Sequence, residues 1–144
     1  VAAAVNGGKY YVPHLVKSVV LSGGKVEDYK PVLKYTPVSE KASSMLASML
    51  EGVVTEGSGK KAYIEGYKVG GKTGTAQKYE DGRVAQGKYV SSFVGFFPTD
   101  KPQYLALIIV DEPQGTYYGS AVAAPVAKEI FEDIIKIKNI QPYV

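Results

Sequence analysis

Residues 66–77, GYKVGGKTGTAQ, are the stretch best suited to chemistry, because they combine four glycines, two lysines and two threonines. Gly66, Gly71, Lys72 and Thr73 match the phosphate-loop pattern GxxxxGK[ST]. In that pattern, backbone amides and the lysine hold phosphate oxygens at the start of a helix. Nucleotide binding is therefore the first hypothesis that these residues raise.

The nucleotide hypothesis requires a helix that begins at Thr73 and parallel strands that are separated by helices. Residues 74–82 have no apolar period of 3.6 and end in a turn dipeptide, so they do not predict a helix. The run LALIIVDE at 105–112 imitates a strand that ends in magnesium-binding acids. We predict instead that residues 105–110 form a fully buried central strand. Nucleotide binding stays as the weaker alternative.

On a strand, the same stretch would place alternate side chains on opposite faces. One face would carry Lys72, Gly74 and Ala76, and the other Thr73, Thr75 and Gln77. A lysine charge, hydroxyls for a carboxylate and a strand amide for an oxyanion are parts that acyl transfer needs. Gly70, Gly71 and Gly74 would leave room for a ligand backbone beside an edge strand. The residues alone leave open a simpler interpretation, a glycine bulge with a solvated lysine.

Composition limits the classes of protein to which the chain can belong. The 144 residues are 45% hydrophobic and 22% charged with a net charge of +3, which indicates one globular domain or part of one. The lysines are scattered, so no nucleic-acid partner is predicted. Without cysteine, and with His14 as the single histidine, we predict no metal site and no cofactor.

The first third of the chain predicts small irregular elements. Residues 1–8 resemble the end of a helix followed by glycine stop signals. Valine- and tyrosine-rich runs at 10–21 and 26–35 predict two strands joined by a glycine turn at 22–25. A proline in each run makes both of them edge or irregular strands.

A helix and a sheet follow. Seven apolar residues recur at steps of three and four and predict a helix with a buried stripe, capped by Ser39 and stopped by Gly57. They are Ala42, Met45, Leu46, Met49, Leu50, Val53 and Val54. Strands at about 67–77, 89–97 and 103–110 are joined by links too short for a crossover helix, so they predict an antiparallel meander.

A terminal helix completes the predicted elements. Its apolar residues are Val122, Val126, Ile130 and Ile134, with Ala123, Ala127 and Phe131 beside them. This stripe can cover one face of the meander. The predicted fold class is therefore α+β, with an antiparallel sheet covered by helices.

The sequence resembles the C-terminal part of the transpeptidase domain of class B (monofunctional) penicillin-binding proteins. The matching segments lie in family order along nearly the whole chain: AAAVNGG at 2–8 and then Pro13, GVV at 52–54, GKTGTAQ at 71–77, SFVGFFP at 92–98 and YYGSAVAAP at 117–125. The resemblance implies the β-lactamase/transpeptidase-like fold and a peptidoglycan D,D-transpeptidase. In such enzymes an activated serine attacks the bond after the penultimate D-alanine of a stem peptide and forms an acyl-enzyme.

The resemblance also implies roles and partners. Lys72 would supply positive potential and hydrogen bonding in catalysis, and the Thr75 amide would form half of the oxyanion hole. Thr73, Gly74, Thr75 and Gln77 would line the substrate-binding strand, with the two threonines on the terminal carboxylate. The implied partners are peptidoglycan stem peptides, β-lactam antibiotics and the remainder of the same transpeptidase domain.

Two further motifs of the family, Ser-x-x-Lys at a helix start and Ser-x-Asn, belong upstream of Lys-Thr-Gly. The formal matches Ser22/Lys25 and Ser58/Lys61 are threaded with glycine and lack a following apolar helix, and Ser-x-Asn is absent. We therefore expect residues 1–144 to be the C-terminal segment of a longer domain, inactive alone. The whole protein would be anchored at the extracytoplasmic face of a bacterial membrane. The alternative is a non-catalytic folding or binding module.

Overall fold

The computed structural model describes residues 1–143 and divides the chain into two compact units, Val1–Ser44 and Met45–Val144. The elements in chain order are α1 (Ala2–Val5), β1 (Tyr10–Tyr11), β2 (Ser18–Val20), β3 (Val26–Asp28), β4 (Leu33–Tyr35), α2 (Glu40–Thr55), a 3₁₀ helix (Lys60–Ala62), β5 (Gly70–Glu80), β6 (Arg83–Phe97), β7 (Tyr104–Asp111), α3 (Gly119–Val122) and α4 (Ala124–Lys138). Within residues 1–143, no helix has the length and apolar character needed to cross a bilayer.

The first unit begins with the predicted helix end, since α1 is followed by Gly7 and Gly8 at φ of 61° and 76°. The two strands predicted at 10–21 and 26–35 are wrong in extent. Each is split into two short strands, and antiparallel pairing joins β1 to β4 and β2 to β3. The splits contain Pro13 and Pro31, which cannot donate to a ladder. The predicted glycine turn joins β2 and β3.

Helix α2 has the predicted cap, because the Ala42 amide donates to Ser39 Oγ at 3.2 Å. The helix ends at Thr55, two residues before Gly57, as predicted. The predicted buried stripe is partly wrong. Met45 and Met49 are 53% and 64% exposed, whereas Val54 and the unpredicted Ala47 are buried. Periodicity identifies a face that favours burial, but the described residues do not cover all of that face.

The predicted antiparallel meander is confirmed, with strand order β5-β6-β7. Its first hairpin is longer than predicted, since residues 78–88 belong mostly to β5 and β6 and not to a loop. The strands are joined by Asp81 and Gly82 at φ of 50° and 75°. Two positive φ values in a two-residue turn match the right-handed twist of paired strands, which explains why polar residues here continue the ladder.

Strand β7 is not the fully buried central strand that its apolar run predicted. It lies at the edge of the three-stranded sheet, and alternate side chains are exposed. Leu107 and Ile109 are 59% and 60% exposed. An apolar run indicates that both faces favour burial, whereas the described residues cover only one of them.

Helix α4 covers that one face, as predicted, with Pro125 in its first turn. Phe131 packs edge-on against Phe97 at a centroid distance of 5.0 Å. The helix is rotated by about one residue from the prediction, because Val126 and Ile130 are partly exposed and Ile135 is buried. The core comprises Val54, Ala62, Ile64, Val69, Phe93, Phe97, Ala123, Ala124, Ala127, Phe131 and Ile135. The fold is α+β, with an antiparallel sheet covered by a helix.

Candidate functional site

The outer strand β5 carries the predicted site residues. Lys72 and Gly74 pair with Val94 and Ser92, whereas Thr73 and Thr75 pair with Phe93 and Ser91. Paired residues share a face, so the two threonines lie on the face that α4 covers and Lys72 lies on the other. The alternation predicted from the strand period is confirmed.

The extended conformation of β5 also excludes the nucleotide hypothesis. Lys72 and Thr73 lie inside β5, and the backbone stays extended to Glu80 instead of beginning a helix. Gly66 lies in a turn at φ of 79°, and its carbonyl accepts a hydrogen bond from the Tyr143 amide at 2.8 Å. Without a helix N-terminus, the amides cannot converge on a phosphate as a phosphate loop requires.

The glycines of the strand have a packing role that we did not predict. A Cβ atom at Gly70 would lie 2.8 Å from the Phe96 ring, and one at Gly71 would lie 2.7 Å from the Val94 carbonyl oxygen. The space at these two positions is therefore taken by the protein itself and not by a ligand backbone. At Gly74, the nearest atom is Ser92 Oγ, at 2.6 Å from the Cβ position.

Each threonine hydroxyl of the site has a protein partner. Thr73 Oγ1 lies 3.0 Å from Ser58 Oγ, and either hydroxyl can donate. Thr75 Oγ1 accepts a hydrogen bond from the Gly119 amide at 3.1 Å. Because an amide is only a donor, the Thr75 hydroxyl keeps its own proton for another acceptor. Lys72 Nζ donates to the carbonyl oxygen of Thr73 at 2.9 Å.

Residues 117–119 are attached closely to the sheet. The buried Ser91 hydroxyl donates to the Tyr117 carbonyl. A Cβ atom at position 119 would lie 2.5 Å from the Gly74 carbonyl oxygen and closer still to that of Ser92. Only glycine fits this contact, so the identity of residue 119 decides whether its amide reaches Thr75.

Three tyrosines stack beside the strand. The rings of Tyr89 and Tyr117 are 4.0 Å apart and nearly parallel, and Tyr118 lies 4.7 Å from Tyr117. The hydrogen bond to Tyr118 and the nearby Tyr118 and Tyr89 hydroxyls raise the pKa of Tyr117 to about 12. Tyr117 therefore stays protonated near neutral pH and does not act as a general base at that pH. The exposed Gln77 side chain is 3.5 Å from the Tyr89 hydroxyl.

The arrangement can bind an anion but does not supply a nucleophile of the expected kind. The two threonine hydroxyls lie on one face of β5 and suit a carboxylate, whereas Lys72 lies on the other face and adds positive potential. Ser22 lies in the turn between β2 and β3, and Ser58 precedes a three-residue 3₁₀ helix. Neither serine begins an apolar helix, in agreement with the interpretation of both formal matches as chance.

The sequence identified the strand residues but missed their partners Ser58 and Gly119. Gly119 belongs to the segment YYGSAVAAP that carried the resemblance, although no contact with Thr75 was foreseen. The sequence marks Ser58 only as a chance match to Ser-x-x-Lys, and nothing in the local sequence places it beside Thr73.

Comparisons with known proteins identify the family to which the chain belongs. Residues 1–132 match the family described as the penicillin binding protein transpeptidase domain. The chain is 41% identical to Stage V sporulation protein D of Bacillus subtilis, over 99% of this chain and 22% of that protein. It is 42% identical to a peptidoglycan D,D-transpeptidase FtsI homolog of Chlorokybus atmophyticus, over 72% of this chain and 16% of that one.

Solved structures show the same similarity in three dimensions. The apo form of penicillin binding protein 3 from Mycobacterium tuberculosis has a TM-score of 0.87 and 28% identity, and the match covers 99% of this chain and 34% of that one. Its ampicillin complex has a TM-score of 0.85 at 26% identity, over 98% of this chain and 34% of that one. This chain thus spans about a fifth of those curated relatives and about a third of those solved chains. It belongs to the penicillin-binding protein transpeptidase domain family.

Proposed function

We propose that this chain forms one wall of the acyl-transfer cleft of a peptidoglycan D,D-transpeptidase. Strand β5 would bind the carboxylate at the D-Ala-D-Ala end of a stem peptide, or the carboxylate of a β-lactam. One observation carries this proposal: Thr73 and Thr75 lie on one face of an outer strand, and the Gly119 amide donates a hydrogen bond to the Thr75 hydroxyl.

The proposed roles follow from the chemistry of each group. Thr73 and Thr75 donate hydroxyl protons to the carboxylate, and Lys72 adds positive potential and hydrogen bonding. The Thr75 amide provides half of the oxyanion hole for the tetrahedral intermediate. Gly74 separates the two threonines on the substrate-binding strand, with Ser92 Oγ in the space that a Cβ atom would take, and the exposed Gln77 lines the same strand.

The nucleophile would come from the remainder of the same domain, with residues 1–144 as its C-terminal segment. Two observations support this arrangement. The chain spans about a third of the solved chains that it matches. Leu107 and Ile109 form an apolar face on β7 that the described residues leave exposed, and the remainder of the domain is the surface that would cover it.

Relatives support the substrate class and the location. FtsI proteins are named as peptidoglycan D,D-transpeptidases, and penicillin binding protein 3 of Mycobacterium tuberculosis forms complexes with aztreonam and ampicillin. Peptidoglycan is assembled outside the cytoplasmic membrane. We therefore place the whole protein at the extracytoplasmic face of a bacterial membrane, with stem peptides as substrates and β-lactams as inhibitors.

The experiment is Thr75→Val in the full-length protein, which removes the hydroxyl at nearly constant volume. The second-order rate constant of acylation by benzylpenicillin should fall by about 10- to 100-fold, as expected for a hydrogen bond to a charged group. Competition with a fluorescent penicillin measures this constant. Thr55→Val, at the exposed end of α2, is the matched control and should keep the wild-type rate.

Two results would contradict the proposal. One is an unchanged acylation rate in Thr75→Val. The other is a wild-type full-length protein that no penicillin acylates, which would favour the non-catalytic binding module.

A further inference from the structure

We infer that Ser58 is a positioning residue for the carboxylate site, which acts by orienting the hydroxyl of Thr73. This inference rests on the proposed function of strand β5. It gives a role to a serine that the sequence marked only as a chance match to Ser-x-x-Lys.

The loop after α2 brings the two hydroxyls together. Ser58 Oγ and Thr73 Oγ1 are 3.0 Å apart although 15 residues separate them in the sequence. The loop is fixed on both sides of Ser58. The Gly57 amide donates to the Gly52 carbonyl at 3.1 Å, and the Gly59 amide donates to the Val53 carbonyl at 2.9 Å.

A side chain would be crowded at both of these positions. A Cβ atom at Gly57 would lie 2.9 Å from the Val53 carbonyl oxygen, and one at Gly59 would lie 3.1 Å from the same atom. Two glycines that pack against the last turns of α2 therefore place Ser58 over strand β5. The loop geometry and the hydroxyl contact together specify the position of Ser58.

The hydrogen-bonding capacity of the pair explains what Ser58 contributes. A hydroxyl carries one proton and can accept as well as donate. When a carboxylate arrives, Thr73 donates its proton to the carboxylate, and Ser58 donates to Thr73 Oγ1. A hydroxyl that accepts a hydrogen bond becomes a better donor, so Ser58 strengthens the contact that Thr73 makes.

The same arrangement occurs at Thr75 with a different donor. There the Gly119 amide donates to the threonine hydroxyl at 3.1 Å. Each of the two carboxylate-binding threonines thus has one hydrogen-bond donor for its hydroxyl oxygen. The donor is the Ser58 side chain at Thr73 and the Gly119 backbone amide at Thr75. Only the donor at Thr73 can be removed without a change to the backbone.

The test is a double-mutant cycle in the full-length protein, with the rate constant of acylation by benzylpenicillin as the readout. Ser58→Ala should lower this constant by about threefold to tenfold in the wild-type background. It should have no effect in the Thr73→Val background, because the hydroxyl that it orients is gone. Ser58→Thr should restore the rate, since it returns a hydroxyl.

Ser48→Ala, at an exposed position of α2, is the matched control and should leave the rate unchanged. An unchanged rate in Ser58→Ala overturns the inference, and so does an equal loss in both backgrounds, which would mean a structural effect. A complete loss of acylation in Ser58→Ala also overturns it, since a positioning residue is not the nucleophile. Failure of the proposed function is separate, because it shows as unchanged rates in Thr73→Val and Thr75→Val.

Discussion

At the scale of single residues, Gly119 links the loop before α3 to the proposed carboxylate site. Its amide holds the Thr75 hydroxyl, and there is no space for a Cβ atom between the loop and the carbonyl oxygens of Gly74 and Ser92. Gly119→Ala should therefore move the loop away from β5. We expect the benzylpenicillin acylation rate of the full-length protein to fall at least about tenfold, with a lower melting temperature.

Gly52→Ala is the control for Gly119→Ala. A Cβ atom at Gly52 would meet nothing within 4 Å, and alanine is favoured over glycine inside a helix by about 0.5–1 kcal/mol. This variant should keep the acylation rate. If Gly119→Ala also keeps it, the amide of residue 119 does not hold Thr75 for binding.

The placement of single side chains could be predicted where it depends on strand geometry alone. The period of two placed Thr73 and Thr75 on one face, and the structure confirms this. The partners Ser58 and Gly119 were not predictable, since they approach β5 from 15 and 44 residues away. Such contacts depend on how whole elements pack, and no local pattern encodes them.

At the scale of elements, the segment after α4 holds the turn that leads into β5. The Tyr143 amide donates to the Gly66 carbonyl at 2.8 Å, and the Tyr143 hydroxyl donates to Asp100 at 3.1 Å. Lys68 Nζ donates to the same carboxylate at 3.2 Å. Partial burial raises the pKa of Asp100, but the hydrogen bonds from Lys68 and Tyr143 outweigh it, so the net pKa lies below 3.8.

These pKa directions predict how stability depends on pH. Because the folded pKa of Asp100 is depressed, its contribution is present above about pH 4 and is lost as the pH falls through the folded value. The hydrogen bond to Asp100 raises the pKa of Lys68, and burial followed by the bond to Asp100 raises that of Tyr143. These two contributions are lost as the pH rises through folded values above 10.5 and 10.0, respectively.

Asp100→Asn tests this network. Its melting temperature should lie below that of the wild type between pH 5 and pH 8, and the difference should shrink as the pH falls toward about 2. Asp133→Asn removes a carboxylate from an exposed pair with Lys136 and should show no such change in the difference. A constant difference for Asp100→Asn from pH 7 to pH 2 would contradict the predicted role of its charge.

Elements were predictable in kind and order but not in their exact faces. The meander and the two long helices follow from periodicity and turn residues. The buried faces of α2 and α4 differ by about one residue from the predicted stripes, since Ala47 and Ile135 are buried where Met49 and Ile130 are not. Small side chains such as Ala47 and Ala127 allow close packing, and a hydropathy pattern gives them little weight.

At the scale of the whole molecule, the exposed apolar face of β7 explains why the prediction of a fully buried strand was wrong. Leu107 and Ile109 pair with Val94 and Ser92 of β6, on the face of the sheet opposite to the buried Phe93. They stay exposed in the part of the chain that the structure describes. The apolar run LALIIV favours burial of both faces of the strand. The hydropathy pattern of a strand reflects all the surfaces that pack against it in the whole protein. A segment alone therefore cannot explain every apolar position in the pattern.

The last prediction concerns the chain of 144 residues on its own. We expect no covalent adduct with a fluorescent penicillin, because acylation needs an activated serine and neither Ser22 nor Ser58 begins an apolar helix. The full-length protein, under the same conditions, should be labelled in proportion to its concentration. A thermal transition of the isolated chain provides the control that its strand and helices are folded. Stoichiometric labelling of the isolated chain would contradict the prediction, and mass spectrometry would then identify the acylated serine; an adduct on Ser58 would make it a nucleophile instead of a positioning residue.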